Sequence, residues 1–171
     1  AAVAFLFIFA WLGADWATRF QYLVMAILTM IFGVLGAVAQ FHVRRILSFH
    51  IISQIGYMVL GMGLASTLGI TATLVHVFNH ALMKGALFMA CGALVYQVGS
   101  SRFFKLNGLG RQMPWTFTAI FIAGLSLIGI PGTAGFISKW YFMLAALEQQ
   151  SWLIALVILL GSLLAVIYVW K

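Results

Sequence analysis

Three side chains that can gain and lose a proton recur at equal spacing in an otherwise apolar stretch: His76, His80 and Lys84. Spacings of i, i+4 and i+8 stack them on one face of a helix. At a rise of ~1.5 Å per residue the column runs about 12 Å along the helix axis. Asn79 flanks it. Two imidazoles and an ammonium group within one or two waters of each other are what a proton relay requires. Each also has a plainer reading. A single buried histidine is usually structural, and a lysine near a helix end snorkels to an interface. A lysine near the middle of a membrane span costs ~2.5–3.5 kcal/mol to insert, so it persists where it faces a bundle interior, water or a partner. Three such groups on one face therefore point to conduction.

A second charged group, Lys139, follows the run Gly129-Ile130-Pro131-Gly132-Thr133-Ala134-Gly135. Pro131 lacks an N–H and the glycines weaken a helix interior, so Gly129, Pro131, Gly132 and Gly135 predict a helix break. Unwound backbone at membrane depth is tolerated where it lines a cavity or packs inside protein, and broken helices in transporters mark ion sites. The alternative is a plain loop between two spans, with Lys139 snorkelling outwards. A third set, His50, Ser53, Gln54 and Tyr57, shares one helical face. It is either hydrogen-bonding glue between helices or a continuation of the proton path, with His50 its strongest candidate. A haem reading needs His50 as well, because His76 and His80 on one helix approach the same side of a porphyrin.

The elements that must hold these groups are membrane helices. Of 171 residues, 65% are hydrophobic and 6% charged, against roughly 25% charged in soluble domains. Such a chain cannot cover a water-facing surface, so its solvent is the lipid bilayer. A span needs ~20 apolar residues. Polar breaks then predict a helix end over 1–13, a turn over 15–19, and spans over 21–40, 46–68 and 72–98. Breaks over 41–45 and 66–71 separate them. A loop over 99–114 follows, then helices over 115–130 and 136–147 either side of the break, and a last span over 152–170. This makes about seven segments in one transmembrane domain, 1–171, with the first cut short. Ala1 to Ala10 shows no charged leader and no initial Met, so the chain reads as part of something longer.

Charge supports the same class. The net charge is +7, but no basic cluster exceeds Arg44-Arg45, which excludes a nucleic-acid surface. Loops 41–45 and 99–114 lie on one side and hold Arg44, Arg45, Arg102, Lys105 and Arg111 without an acid. The opposite side offers Arg19 beside Asp15, and Lys171. The positive-inside rule places the first side in the cytoplasm. The lone Cys91 excludes a disulfide framework or CxxC site. Two acids, Asp15 and Glu148, cannot share an acid–base site, and no P-loop, triad or metal-ligand cluster is present. No catalytic residue, metal site or cofactor is expected. Gly33, Gly36, Gly56, Gly61 and Gly63 read as close-packing positions.

The motifs also carry a resemblance. Arg44-Arg45-Ile-Leu-Ser-Phe-His50-Ile-Ile-Ser53-Gln54-Ile-Gly56-Tyr57-Met58 resembles the signature of the antiporter-like membrane subunits shared by respiratory complex I and the multisubunit Mrp sodium/proton antiporters, most nearly that of the D-type Mrp component. His76-x3-His80-x3-Lys84, followed by Ala86-Leu87-Phe88, is similar to the family's buried His/Lys helix. Gly129-Ile-Pro131-x3-Gly135-Phe-x-Ser138-Lys139 is similar to its discontinuous helix. The resemblance covers nearly the whole chain, with three motifs in order. It implies an all-α fold of about fourteen helices with an inverted repeat, of which this chain is the C-terminal half. By position, Lys84 is the buried lysine of the second half-channel, with His76 and His80 its relay. Lys139 stands on the broken helix at the exit, and His50 beside them. The implied activity is monovalent cation (Na+)/proton exchange, or proton pumping in complex I or a related membrane hydrogenase. The implied setting is a multisubunit complex in a bacterial plasma membrane, with H+ and Na+ as the ions. One departure is His42-Val-Arg44-Arg45, where many relatives have Asp-x-Lys-Arg. The first repeat's Glu–Lys pair is also missing.

Overall fold

The computed structural model describes residues 16–102 and 109–170. Over those residues the chain is helical: α1 (Trp16–Val38), α2 (Val43–Gly63), α3 (Thr67–Val98), α4 (Pro114–Ile128), α5 (Ala134–Glu148) and α6 (Trp152–Val169), with one 3₁₀ turn at Leu109–Arg111. Four of these helices (α1, α2, α3 and α6) are long and apolar enough to cross a membrane. The helix end expected over 1–13, Asp15, Lys105 and Lys171 lie outside the described residues. The expected count of about seven thus becomes six helices here, of which α4 and α5 have only 15 residues each.

Several boundaries differ from the sequence expectation, each for a local reason. The turn expected up to residue 19 is helix from Trp16 onward. Arg44 and Arg45 belong to the first turn of α2 and are exposed, so their charges leave the helix without ending it. The break expected over 66–71 shrinks to Leu64–Ser66. There Ser66 caps α3 by accepting from Gly69 N at 2.9 Å, and Thr71 Oγ1 donates back to Thr67 O at 2.9 Å. The hydroxyls that suggested a loop are satisfied inside the helix.

Close helix contacts fall at glycines. A Cβ at Gly33 would lie 2.8 Å from Ser53 Cα, and one at Gly56 would lie 2.6 Å from Met30 Cγ and 2.9 Å from Ala26 O. These positions let α1 and α2 pack along their length. At the other end of α2, a Cβ on Gly61 would meet Gly69 O at 2.6 Å, which sets the approach to α3.

Helices α4 and α5 run end to end alongside α3, in the opposite direction. Met113 and Phe117, at the start of α4, pack with Leu94 and Val98 near the end of α3. Midway, Asn79 Nδ2 donates to Ala134 O at 2.9 Å. At the far end Gln149 Nε2 donates to Leu64 O, beside the start of α3. The 129–133 segment is therefore an interruption abreast of the interior of α3, and α4 and α5 together match its length. Gly129 closes α4 in the left-handed region at φ 87°, and Thr133 caps α5. Helix α6 packs back against α1, α4 and α5.

The burial pattern inverts that of a soluble protein. Phe32, Phe78, Met89, Leu160 and Leu163 point outwards, whereas His50, Ser53, Gln54, His76, His80, Lys84, Ser126, Ser138 and Lys139 are all buried. The two basic connections also meet at one end: Val43 N donates to Ser101 O at 3.1 Å, and His42 Nδ1 lies 3.1 Å from Ser101 Oγ. Arg44, Arg45, Arg102 and Arg111 are exposed at that end, as the charge pattern required.

Candidate functional site: a buried histidine row between two lysines

The intact helix α3 presents His76, His80 and Lys84 inward at successive turns, as their spacing demands. The His76 and His80 rings stack, with centroids 5.9 Å apart and planes 17° from parallel. His50 of α2 continues the stack, 6.3 Å from His80 at 26°. Three histidines that the sequence places on two helices thus form one row. Tyr57 lies 5.7 Å from His76, and Phe142 of α5 meets His76 edge-on at 5.5 Å, closing the row on its flanks.

A lysine stands at each end. Lys84 Nζ donates to Leu47 O of α2 at 2.9 Å. Lys139 Nζ donates to Leu127 O at 2.9 Å and Ile128 O at 2.8 Å, and lies 5.8 Å from the centre of the Tyr57 ring. The last carbonyls of a helix have no partner within it, and a cation there also meets the negative end of the helix dipole. The break after α4 thus supplies the acceptors that hold Lys139 inside. The outward-snorkelling alternative is not what the side chain does.

Ser138 couples the broken helix to the row, with its Oγ 2.9 Å from His76 Nδ1. Gly135 lets α5 fold close against α4: its Cα stands so close to the Ser126 carbonyl that a Cβ would overlap that oxygen, while Gly135 N donates to Ser126 Oγ at 3.1 Å. Tyr57 takes the gluing role, donating to Ile158 O of α6 at 3.1 Å.

Several buried polar atoms have no hydrogen-bond partner among the described residues: both ring nitrogens of His50, Nε2 of His76 and of His80, Ser53 Oγ and Tyr168 OH. Buried polar groups are ordinarily satisfied by protein or by ordered water. A line of buried imidazole nitrogens without protein partners offers donors and acceptors that ordered water can bridge. The same geometry does not fit haem. Axial imidazoles point their nitrogens at one iron from opposite faces of a porphyrin, whereas His50 and His80 stack face to face.

Residue spacing alone does not single out Ser138 or Tyr168 as site residues. Ser138 has a signal, since it precedes Lys139 and lies one turn from Gly135 on the same helix. Tyr168, whose ring meets His50 edge-on at 5.6 Å, is an isolated phenol in an apolar run. Only the packing of α6 brings it to the row.

The chain is also similar, in sequence and in fold, to known proteins. The profile of the family described as NADH:quinone oxidoreductase/Mrp antiporter, TM, matches residues 1–165. The D-type component of a Na(+)/H(+) antiporter from Alkalihalophilus pseudofirmus is 44% identical over 149 residues, which is 87% of this chain and 30% of that protein. The N-type component of an NADH-quinone oxidoreductase from Desulforudis audaxviator is 38% identical over 147 residues, 86% of this chain and 29% of that one. Among solved structures, the Mrp complex from a Dietzia species superposes with a TM-score of 0.88 at 36% identity. That match covers 91% of this chain and 29% of the matched one. The chain therefore spans about 30% of the length of the curated relatives it matches. With the profile match covering nearly all of its length, the chain belongs to the NADH:quinone oxidoreductase/Mrp antiporter family of membrane proteins.

Proposed function

We propose that this chain forms the second proton-conducting half of a subunit in a multisubunit monovalent cation/proton antiporter, with Na+ the exchanged ion. The observation that carries this reading is the continuous row His50–His80–His76, buried and flanked by Lys84 and Lys139. Each lysine is held by backbone carbonyls. A carbonyl accepts from an ammonium or an amine alike, so either lysine can lose its proton without losing its place. Protons pass along the row, and a charge arriving at Lys84 repels the one on Lys139 through a water-poor interior where such coupling is strong.

The bilayer fits the same picture. Helix α3, with 32 residues, is about 48 Å long against a hydrocarbon core of about 30 Å. Asn79, well inside α3, marks the level of the break. On this reading the Gly129, Pro131, Gly132 and Gly135 interruption lies at membrane depth, with Gly135 buried in protein and Pro131 and Gly132 on the outer surface. In this reading the end with the exposed arginines faces the cytoplasm of a bacterial cell, in keeping with the positive-inside rule, and the chain is multi-pass in the plasma membrane. The partners are the remainder of an inverted-repeat subunit of about fourteen helices and the other membrane subunits of the complex.

A second reading, a proton-pumping subunit of an NADH-quinone oxidoreductase, is favoured by the 38% identity to the N-type component of such an enzyme. One experiment separates the two. Everted vesicles carrying the full parent assembly are given a pH gradient, and its collapse on adding Na+ is followed with and without Lys84→Ala. Na+-dependent collapse that Lys84→Ala abolishes, with assembly intact, is the expected result. Collapse that Lys84→Ala leaves unchanged overturns the proposed path. A gradient indifferent to Na+ but built by quinone reduction selects the second reading.

A further inference from the structure

Helices α2, α3, α4 and α6 line a half-open cavity of about 230 Å³ that lies outside the histidine row. Leu47 and Leu87 line it on one side and Leu127 and Ile128 on another, so it borders the backbone acceptors of both Lys84 and Lys139. It reaches Val43 at the start of α2 and Trp170 past the end of α6, which is the end carrying the exposed arginines. Tyr168 also lines it.

Among the described residues, Tyr168 is the one side chain that both lines this cavity and meets the row. Its ring meets His50 edge-on at 5.6 Å, and its residue is 3% exposed. Its hydroxyl has no partner among the described residues, and neither ring nitrogen of His50 has one. Its ring packs among Val34, Ala37, Ile46 and Ala165, where a phenylalanine would bury as well. A hydroxyl buried without a partner is costly, and packing gives no reason to keep it. A water between Tyr168 OH and His50 would give the hydroxyl and one of the two ring nitrogens a partner.

We propose that Tyr168 is a further member of the proton path, a branch that connects His50 to the cavity and through it to the basic end of the molecule. The inference rests on the proton-conducting reading above. In the step, the phenol O–H bond breaks as its proton passes to the water beside His50, which gives one of its own protons to a ring nitrogen of His50. The phenol oxygen takes a proton from cavity water that itself arrives protonated from the basic end, so Tyr168 ends as the neutral phenol it began and both waters end neutral. Because the cavity walls are apolar, the water that carries this step enters transiently.

The test uses the full parent assembly in vesicles. Tyr168→Phe keeps the ring and its packing, and exchange is expected to fall about tenfold, approaching the range that a positioned proton donor contributes. Lys84→Ala is expected to abolish exchange. Infrared difference spectra across a pH step supply a readout that packing alone does not move. With isotopically labelled tyrosine placed at 168 of the otherwise unaltered chain, its C–O band changes if the phenol exchanges protons with the row. Gly124→Val narrows the same cavity from the α4 wall and is expected to slow exchange like Tyr168→Phe. Full exchange in Tyr168→Phe, or a silent labelled band, while Lys84→Ala abolishes exchange, overturns the branch and leaves the row standing. Full exchange in Lys84→Ala overturns the row and the branch together.

Discussion

Two stretches of nearly equal length lie side by side in this molecule, and they hold their charged groups in opposite ways. Helix α3 is continuous over 32 residues. Its backbone is self-satisfied, so His76 and Lys84 must find partners across a helix interface, at Ser138 Oγ and Leu47 O. The α4–α5 stretch is interrupted, and its bare carbonyls at Leu127 and Ile128 hold Lys139 from within the same stretch. The intact helix offers regular spacing, which is what a relay needs. The broken one offers free backbone acceptors in its interior, which a continuous helix cannot provide.

Gly135 sets the close approach of α5 to α4 across the break, and adding any side chain there forces the two halves of the interrupted stretch apart. Gly135→Val is expected to have the largest effect: its Cβ overlaps the Ser126 carbonyl, an overpacking that costs about 1–3 kcal/mol or more. The yield of assembled complex on a native gel should collapse. Lys139→Met is next. It leaves the end of α4 without its donor, at about 1–3 kcal/mol for the unsatisfied carbonyls, and removes one of the two charges. Assembly should survive at a lower melting temperature, and Na+-dependent exchange should be lost. Asn79→Ala has the smallest effect. It removes one hydrogen bond from α3 to Ala134 O, about 0.5–1.5 kcal/mol, so thermal stability should fall slightly while exchange stays within about twofold. A large loss of exchange there would mean that the two stretches are coupled through Asn79 as well as through Ser138.

The same contrast explains what could be read in the sequence. The column on α3 was legible because helix geometry alone decides it, and the break was legible because Pro131 and the glycines around it admit nothing else. Whether that break made a hairpin or an interruption was not legible. A five-residue Gly/Pro segment serves either, and the choice is made by Phe117 packing near Val98 and Gln149 reaching Leu64. The acceptor of Lys84 was invisible too, since a backbone carbonyl carries no signature of residue type. Ser66 misled for a related reason: a hydroxyl beside a break reads as loop until it is seen to cap the helix that follows. The all-helical membrane class followed from composition and spacing, and the family from the resemblance its motifs carry. The joining of His50 to His80, and of Tyr168 to His50, depends on how three helices pack.

The central claim is that the histidine row carries protons and does not merely bind helices together. Replacing His80 with phenylalanine tests it most directly, because the ring and its stacking between His76 and His50 are retained while both nitrogens are lost. With assembly of the parent complex verified, Na+-dependent collapse of a pH gradient in everted vesicles should fall by about a hundredfold or more, as removal of a proton-transferring group does. Undiminished exchange in His80→Phe would contradict the account, leaving the row as packing.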